Sequence, residues 1–441
     1  MSSIRCPAIL ISAPASGQGK TLTAATLCRA WSKQGLKVQA FKTGPDFLDS
    51  MILEVGSGRP VYNLDLGMCG LEDAKARLFQ AATSADVIVI EGVMGLFDGN
   101  PSTADLALAF DIPVLLTIDA SGMGQTFGAM ATGLLEYKKE LNIAGVLANK
   151  IGSPGHATLL KHSLPEHIPW FGALEKNNHF LIPERHLGLH TAQEVSDLHA
   201  KLELAANSLV DSLGEQKTLA LPPSIEFNPP TDLSIPALLL GKTIAIARDE
   251  AFCFIYQANL DCLQQLGANL VFFSPLHDDA LPEAQAYWLP GGYPELHLDK
   301  ISLNKNMSKS LKTAAEKGIP ILAECGGMMA LTESINNQAA FGLLPGKVEM
   351  QNKLQGIGTQ FLLLPATQGC AEATIYGHIF HYSKFETRMI PIASAVTQRQ
   401  SAGEWIYKQD NILASYMHFY FPSNPVVTAS FFTKNDDQVV L

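Results

Sequence analysis

Little in this 441-residue chain points to a membrane, a nucleic acid or an oxidising compartment. No apolar stretch approaches the ~18 residues of a membrane span. The opening Met1-Ser2-Ser3-Ile4-Arg5-Cys6-Pro7 lacks a signal-peptide layout and runs straight into a strand-like segment. No Lys/Arg run is longer than Lys138-Lys139, and a net charge of -11 argues against a nucleic-acid partner. Seven cysteines, an odd number, are scattered without a C-x-x-C pair, which excludes a zinc ribbon and fits a reducing compartment. Neither an internal repeat nor a low-complexity tract is present. These absences predict a soluble, cytoplasmic chain with no nucleic-acid and no membrane partner.

What is present is a βα alternation. Strand-like segments at 8–13, 37–41, 87–91, 114–119 and 144–149 are separated by helical patterns at 20–32, 71–83 and 126–140. Such alternation predicts a mostly parallel sheet wrapped by helices. One more amphipathic helix is expected over 191–213, with Val195, Leu198, Leu202, Ala205, Leu209 and Leu213 at helical spacing. Residues 221–236 then carry five prolines and mark the main boundary. The alternation restarts at Thr243, and beyond about residue 340 the chain turns strand-rich.

Two runs carry chemistry. The first is Pro14-Ala15-Ser16-Gly17-Gln18-Gly19-Lys20-Thr21, a glycine loop between strand and helix that resembles a P-loop with Pro14 in place of the first glycine. Backbone N–H groups of Gly17, Gln18, Gly19 and Lys20 can cradle phosphates, the Lys20 ammonium can reach the β/γ-phosphates, and the Thr21 hydroxyl can ligate Mg²⁺. Asp46 and Asp49 follow one strand and Glu91 and Asp98 another. In an open α/β sheet such strand ends converge, so Thr21, Asp46 and Glu91 with phosphate oxygens would suffice for Mg²⁺. Taken singly, each acid also reads as a helix cap or loop carboxylate. Asn149 ends a further strand and could read adenine. Ala15 stands where dimerising switch ATPases carry lysine, which removes that reading's best signature.

The second run is Glu324-Cys325-Gly326-Gly327, between a short apolar strand at 319–323 and a helix-like run. A thiol on such a turn, near a positive helix end, is expected to be exposed and to have a lowered pKa, as a nucleophile requires. A buried, inert cysteine is the competing reading.

Assembled, these runs resemble the cobyrinic acid a,c-diamide synthase family of corrinoid biosynthesis over essentially the whole length. The resemblance is carried by residues 13–21, 41–49, 91–99, 102–107, 183–189, 247–254, 289–297, 323–327, 377–383 and 414–421, with EGVMGLFDG and ARDEAFCF the rarest. It implies a P-loop, dethiobiotin-synthetase-like ATP domain with a doubly wound, mostly parallel sheet over 1–215. A Pro-rich linker over 216–241 would follow, then a flavodoxin-like class I glutamine amidotransferase domain over 242–441. It further implies Cys325 as nucleophile, His418 as general base and Gly291-Gly292 as the oxyanion hole. Asp49 and Asp98 would orient the acceptor carboxylate. The implied reaction amidates the a and c acetates of cobyrinic or hydrogenobyrinic acid through acyl phosphates, using ATP, Mg²⁺ and glutamine. The resemblance admits a homodimer, and two chemistries in one chain predict ammonia transfer between sites.

Departures are Tyr420, where many class I amidotransferases complete a triad with Glu, Ala323 in place of Gly, and Phe47-Leu48 in place of Tyr-Ile. The base is therefore read as half of a Cys–His dyad with no identified orienting partner. His378 and His381 lack a third ligand at suitable spacing and read as structural or substrate-facing. Rival readings are a nickel-sirohydrochlorin a,c-diamide synthase, a cobyric acid synthase, and a P-loop scaffold carrying an inactive amidotransferase module.

Overall fold

The computed structural model describes residues 2–180, 197–214, 218–231, 235–364 and 372–434, and within 181–196 only 182, 184, 185, 188, 189 and 195. The chain divides into two compact units at Thr231/Asp232.

In the first unit, seven strands form one parallel sheet: β1 (Ile4–Ser12), β2 (Val38–Lys42), β3 (Tyr62–Asn63), β4 (Val87–Glu91), β5 (Val114–Asp119), β6 (Ile143–Ile151) and β7 (Trp170–Glu175). Their order is β3-β2-β4-β1-β5-β6-β7. Along β1, Ile9 and Ile11 face a core that includes Trp31 and Leu53, while Ala8 and Leu10 face the opposite core with Leu78 and Leu106. A strand buried on both faces reads as a continuous apolar run because helices cover both sides of a parallel sheet. Within the expected linker, the strand Ser224–Phe227 pairs antiparallel with β1, and Ile225 and Phe227 enter the same core as Leu10. That stretch is therefore part of the first unit. Of the expected helix over 191–213, the described part is a helix at Leu198–Asp211. Residues 191–194 and 196 lie outside the described residues, as do 183, 186 and 187 of the 183–189 run.

The second unit is built on five parallel strands: Thr243–Ala247, Asn269–Phe273, Ala286–Leu289, Ile321–Glu324 and Ile412–Ser415. Numbered along the chain they lie in the order 2-1-3-4-5, the flavodoxin-like winding. Antiparallel strands, among them Gly356–Leu364, Ala373–His381 and Ala402–Gln409, extend this sheet beyond its fifth strand. Among the described residues, no helix is long and apolar enough to cross a membrane.

Candidate active sites

In the first unit the carboxyl ends of neighbouring strands deliver the polar residues to one edge. Glu91 is in register with Ile11 of β1 on one side and with Lys42 of β2 on the other. The loop after β1 leads into a 14-residue helix, α1 (Lys20–Lys33), whose N-cap, Gly19, is left-handed at φ 87° and supplies no side-chain cap. The first N–H groups of α1 thus stay available to an anion. The loop is held from behind. Asn149 Nδ2 donates to Gln18 O (2.9 Å), and the Asp119 N–H donates to Gln18 Oε1 (2.9 Å). Asn149, buried, also accepts from the Lys150 N–H, so its amide braces the loop on the wall of the same cavity. Gly17, at φ 76°, has open space around it.

That cavity, about 520 Å³, is lined by the loop together with Lys42, Asp46, Asp49 and Glu91. The Lys20 ammonium donates to Met94 O (2.6 Å) and Ala15 O (3.2 Å). Burial, and then the charge of Lys42, lower its pKa. Thr21 Oγ1 lies 2.7 Å from Glu91 Oε1 and 3.1 Å from Asp49 Oδ1. Lys42, only 2 % exposed, reaches Asp49 Oδ2 at 2.7 Å and Glu91 Oε1 at 2.9 Å. Burial pulls the Lys42 pKa down, but Asp49, Glu91 and Asp46 together lift it above its ordinary value. Three carboxylates around one ammonium leave negative charge in excess. Asp46 and Glu91 are accordingly held above the usual carboxylate range, by burial first and by Asp49 next. Asp98 accepts from the Gly95 N–H (3.1 Å) and acts on Lys20 through its charge.

A divalent cation fits this charge balance. Glu91 Oε2 is buried without a hydrogen-bond partner among the described residues, beside the Thr21 hydroxyl. No three described His, Cys, Asp or Glu side chains form a ready-made metal cage. Mg²⁺ does not need one, since it commonly takes one or two carboxylates plus phosphate oxygens and water.

In the second unit, the third, fourth and fifth parallel strands end side by side and deliver Gly291-Gly292, Cys325 and the His418 turn in that order. Cys325 is left-handed, at φ 45° and ψ -109°, a conformation that costs a non-glycine residue about 1–3 kcal/mol. The following glycines make the turn possible. A Cβ on Gly326 would lie within 3.0 Å of Gly292 N, and one on Gly327 within 3.0 Å of Leu289 O. Gly291 lies against the His418 imidazole, and Phe254 closes the other side, its N–H donating to Gly291 O (3.0 Å) and its ring 6.3 Å from the imidazole.

The thiol differs from the sequence expectation. Cys325 is 5 % exposed, and burial, then the charge of Glu295, push its pKa upward rather than down. The helix that follows, Gly326–Leu331, has only six residues, so its positive end does not offset burial among carboxylates. His418 is also buried, and its pKa falls to about 3 through burial, with His378 and His381 adding to it. Both shifts favour the neutral forms, a thiol at Cys325 and an unprotonated imidazole at His418. His378 is the direct cross-strand neighbour of His418, whereas His381 stacks on Tyr416 at 3.8 Å and bonds Ser383 O and Glu404.

Residues 9–189 match the CobQ/CobB/MinD/ParA nucleotide binding domain, and residues 243–426 match the CobB/CobQ-like glutamine amidotransferase domain. The hydrogenobyrinate a,c-diamide synthase of Stutzerimonas stutzeri is 48% identical over 436 residues, 98% of this chain and 99% of its own. The cobyrinate a,c-diamide synthase of Herminiimonas arsenicoxydans is 46% identical over 433 residues, 96% of each chain. That of Listeria innocua is 36% identical over 444 residues, covering 96% of this chain and 98% of its own. The chain belongs to the cobyrinate/hydrogenobyrinate a,c-diamide synthase family. As a member it is a glutamine-dependent, amide-forming ligase of cobalamin biosynthesis with an N-terminal nucleotide-binding domain.

Lys42, which reaches Asp49 and Glu91, and Glu324, next to Cys325 in the chain, carry no role in the sequence reading. Lys42 stands in the Phe41–Asp49 run, where a lysine at the carboxyl end of a predicted buried strand was the available signal. Glu324 precedes Cys325, and a carboxylate inside an apolar strand was likewise a signal of burial with a purpose.

Proposed function

We propose that this chain amidates the a and c acetate side chains of cobyrinic or hydrogenobyrinic acid, with ATP and glutamine as co-substrates and Mg²⁺ as the metal. The observation that carries the reading is the presence in one chain of a braced P-loop cradle and a strained Cys325 turn hemmed by Gly291, Gly292 and His418. The Cys325 sulfur attacks the side-chain carbonyl carbon of glutamine. Neutral His418 takes the thiol proton and passes it to the departing nitrogen, so ammonia leaves and a glutamyl thioester remains. Water then cleaves the thioester to glutamate and restores the thiol. Backbone N–H groups around Gly291-Gly292 meet the charge that develops on the amide oxygen.

In the first unit, the N–H groups of Gly17, Gln18, Gly19 and Lys20 and the Lys20 ammonium bind the nucleotide phosphates. Asn149 serves the nucleotide site through the loop it braces. A substrate acetate, oriented by Asp49 and Asp98, accepts the γ-phosphoryl group, and ADP departs. Ammonia attacks the acyl carbon, phosphate leaves, and the amide remains. Thr21, Glu91 and Asp46 would hold Mg²⁺, which supplies neutralisation of phosphate charge. The reading is of a cytoplasmic enzyme, and the six described cysteines, all free thiols, support a reducing compartment.

The test pairs two measurements. Cys325→Ser should lose glutaminase activity while still making amide from ATP, Mg²⁺ and free ammonium salt. Equal and negligible glutaminase activity in wild type and variant would instead favour the scaffold reading. Mass spectrometry of products from cobyrinic, hydrogenobyrinic and nickel-sirohydrochlorin acceptors identifies the substrate, and a mass loss of about 2 Da (about 1 Da for each acid converted to amide) only on the nickel tetrapyrrole would overturn the corrinoid assignment.

A further inference from the structure

The residue before the nucleophile is a buried acid with both oxygens engaged. Glu324 is 1 % exposed, accepts from the Trp288 indole N–H through Oε2 (2.9 Å), and accepts from the Phe419 N–H through Oε1 (2.8 Å). Burial pushes its carboxyl pKa up to about 8. A buried carboxyl group is costly unless its oxygens are satisfied, so its partners fix where it stands. Trp288 belongs to the neighbouring strand, in register with Leu322.

Phe419 is the residue after His418. The Cys325 N–H, for its part, donates to Ser415 O at 2.7 Å. The short segment 415–419 is thus pinned at both ends by two consecutive residues. Cys325 holds its beginning through backbone, and Glu324 holds its end through a side chain. His418 lies between the two pins, one residue from the second. The same segment also pairs with the strand Ala373–His381 and receives a bond from Asn259 Nδ2 at Phe419 O (2.8 Å), so Glu324 is the side chain that ties it to the strand leading into Cys325. Tyr420, two residues beyond the histidine, is fully buried and packs edge-on against Tyr256, with ring centroids 5.9 Å apart.

We propose that Glu324 is the positioning residue of the glutaminase site: gripped by Trp288 and gripping the Phe419 N–H, it sets the place of the His418 imidazole relative to the Cys325 sulfur. The proposal rests on the Cys325/His418 reading above. It makes Glu324 a positioning residue and not a catalytic one, because its two oxygens are engaged by the Trp288 indole and the Phe419 N–H.

The experiment is steady-state glutamine hydrolysis by the full chain. In Glu324→Gln one side-chain oxygen still accepts, but the NH₂ group faces an N–H donor. We expect kcat to fall roughly 10- to 100-fold with KM within about twofold of wild type, as a small misplacement of a catalytic group does. Combining Glu324→Gln with Trp288→Phe removes the opposing indole donor and lets the amide oxygen turn to the Phe419 N–H. The double variant should regain about tenfold in kcat. A purely structural role predicts the reverse, because the second change also removes packing, so a double variant no faster than the single overturns the proposal. Wild-type kcat in Glu324→Gln overturns it too. If Glu324→Gln does not fold, Glu324→Asp keeps the acid but shortens its reach, and wild-type kcat there is equally fatal. Absence of glutaminase activity in the wild type would strike the underlying dyad reading instead, which keeps the two failures distinct.

Discussion

Gly291 and His418 pack so closely that a single methyl group on the glycine would lie within 3.0 Å of imidazole Cε1. The His418 imidazole therefore stands in a space that only glycine leaves open. Gly291→Ala should push the imidazole out of line and lower glutaminase kcat by at least ~100-fold, while amide synthesis from ammonium salt persists. Parallel assays with glutamine and with ammonium chloride check this. Equal losses in both assays would mean that the substitution damages the whole chain and not the base.

Lys42 is the counter-ion of the first site, set among Asp46, Asp49 and Glu91. Lys42→Met leaves buried carboxylates without their ammonium, and breaking a buried pair in this way costs about 3–5 kcal/mol. The sign of the pH dependence follows from the raised pKa of Asp46 and Glu91. Groups whose folded pKa is raised stabilise fully below their unfolded values and lose that contribution as pH rises through the folded ones. The deficit of Lys42→Met relative to wild type should thus be largest near pH 8 and shrink toward pH 5. Urea denaturation at both pH values reads it, and a deficit that grows on acidification would refute the charge assignment.

Strands were legible where burial on both faces left an unbroken apolar run: the expected segments at 87–91 and 114–119 coincide with β4 and β5. The short helix Leu48–Ser57 and the terminal strand Trp170–Glu175 are not legible in the sequence, since neither has a long periodic pattern and both owe their form to tertiary packing. The roles of His418, Gly291 and Gly292 come only from the family resemblance, and the structure brings these residues and Cys325 to the ends of adjacent strands. The direction of the Cys325 pKa could not be read, because local sequence shows a helix start but not the surrounding burial or Glu295. Lys42 was hidden for a related reason: its role depends on β2 lying next to β4, a pairing between residues far apart in the chain.

Gly19 is constrained twice, by its left-handed φ of 87° and by the Asn149 amide that a Cβ would overlap. Gly19→Ala should break the brace between Asn149 and Gln18 and spread the N–H groups that receive phosphate. A loss of at least ~10-fold in ATP affinity is expected, read by isothermal titration with a non-hydrolysable ATP analogue. Glutaminase activity measured in the absence of ATP should stay near wild type. Unchanged nucleotide affinity would remove the loop from the binding site.

Burial keeps Cys325 and His418 neutral, and in the proposed dyad that has a pH signature. Burial lowers the His418 pKa to about 3, so the imidazole stays unprotonated and able to accept a proton well below neutral pH. Burial and Glu295 raise the Cys325 pKa, so no preformed thiolate accumulates near pH 7. For glutamine hydrolysis the acid limb of kcat/KM should therefore fall below about pH 5, not near the ordinary histidine value of about 6.5. Over the same range, alkylation of Cys325 by iodoacetamide should climb steadily from pH 6 to 9 with no plateau, because thiolate alone reacts. A thiolate–imidazolium pair would give the opposite pattern, with alkylation already level at neutral pH and activity lost as the imidazole is held protonated. Mass-spectrometric counting of modified Cys325 across the pH series, set beside the hydrolysis profile, separates the two. A level alkylation rate between pH 6 and 8 would show that the glutamine-free site already holds the ion pair.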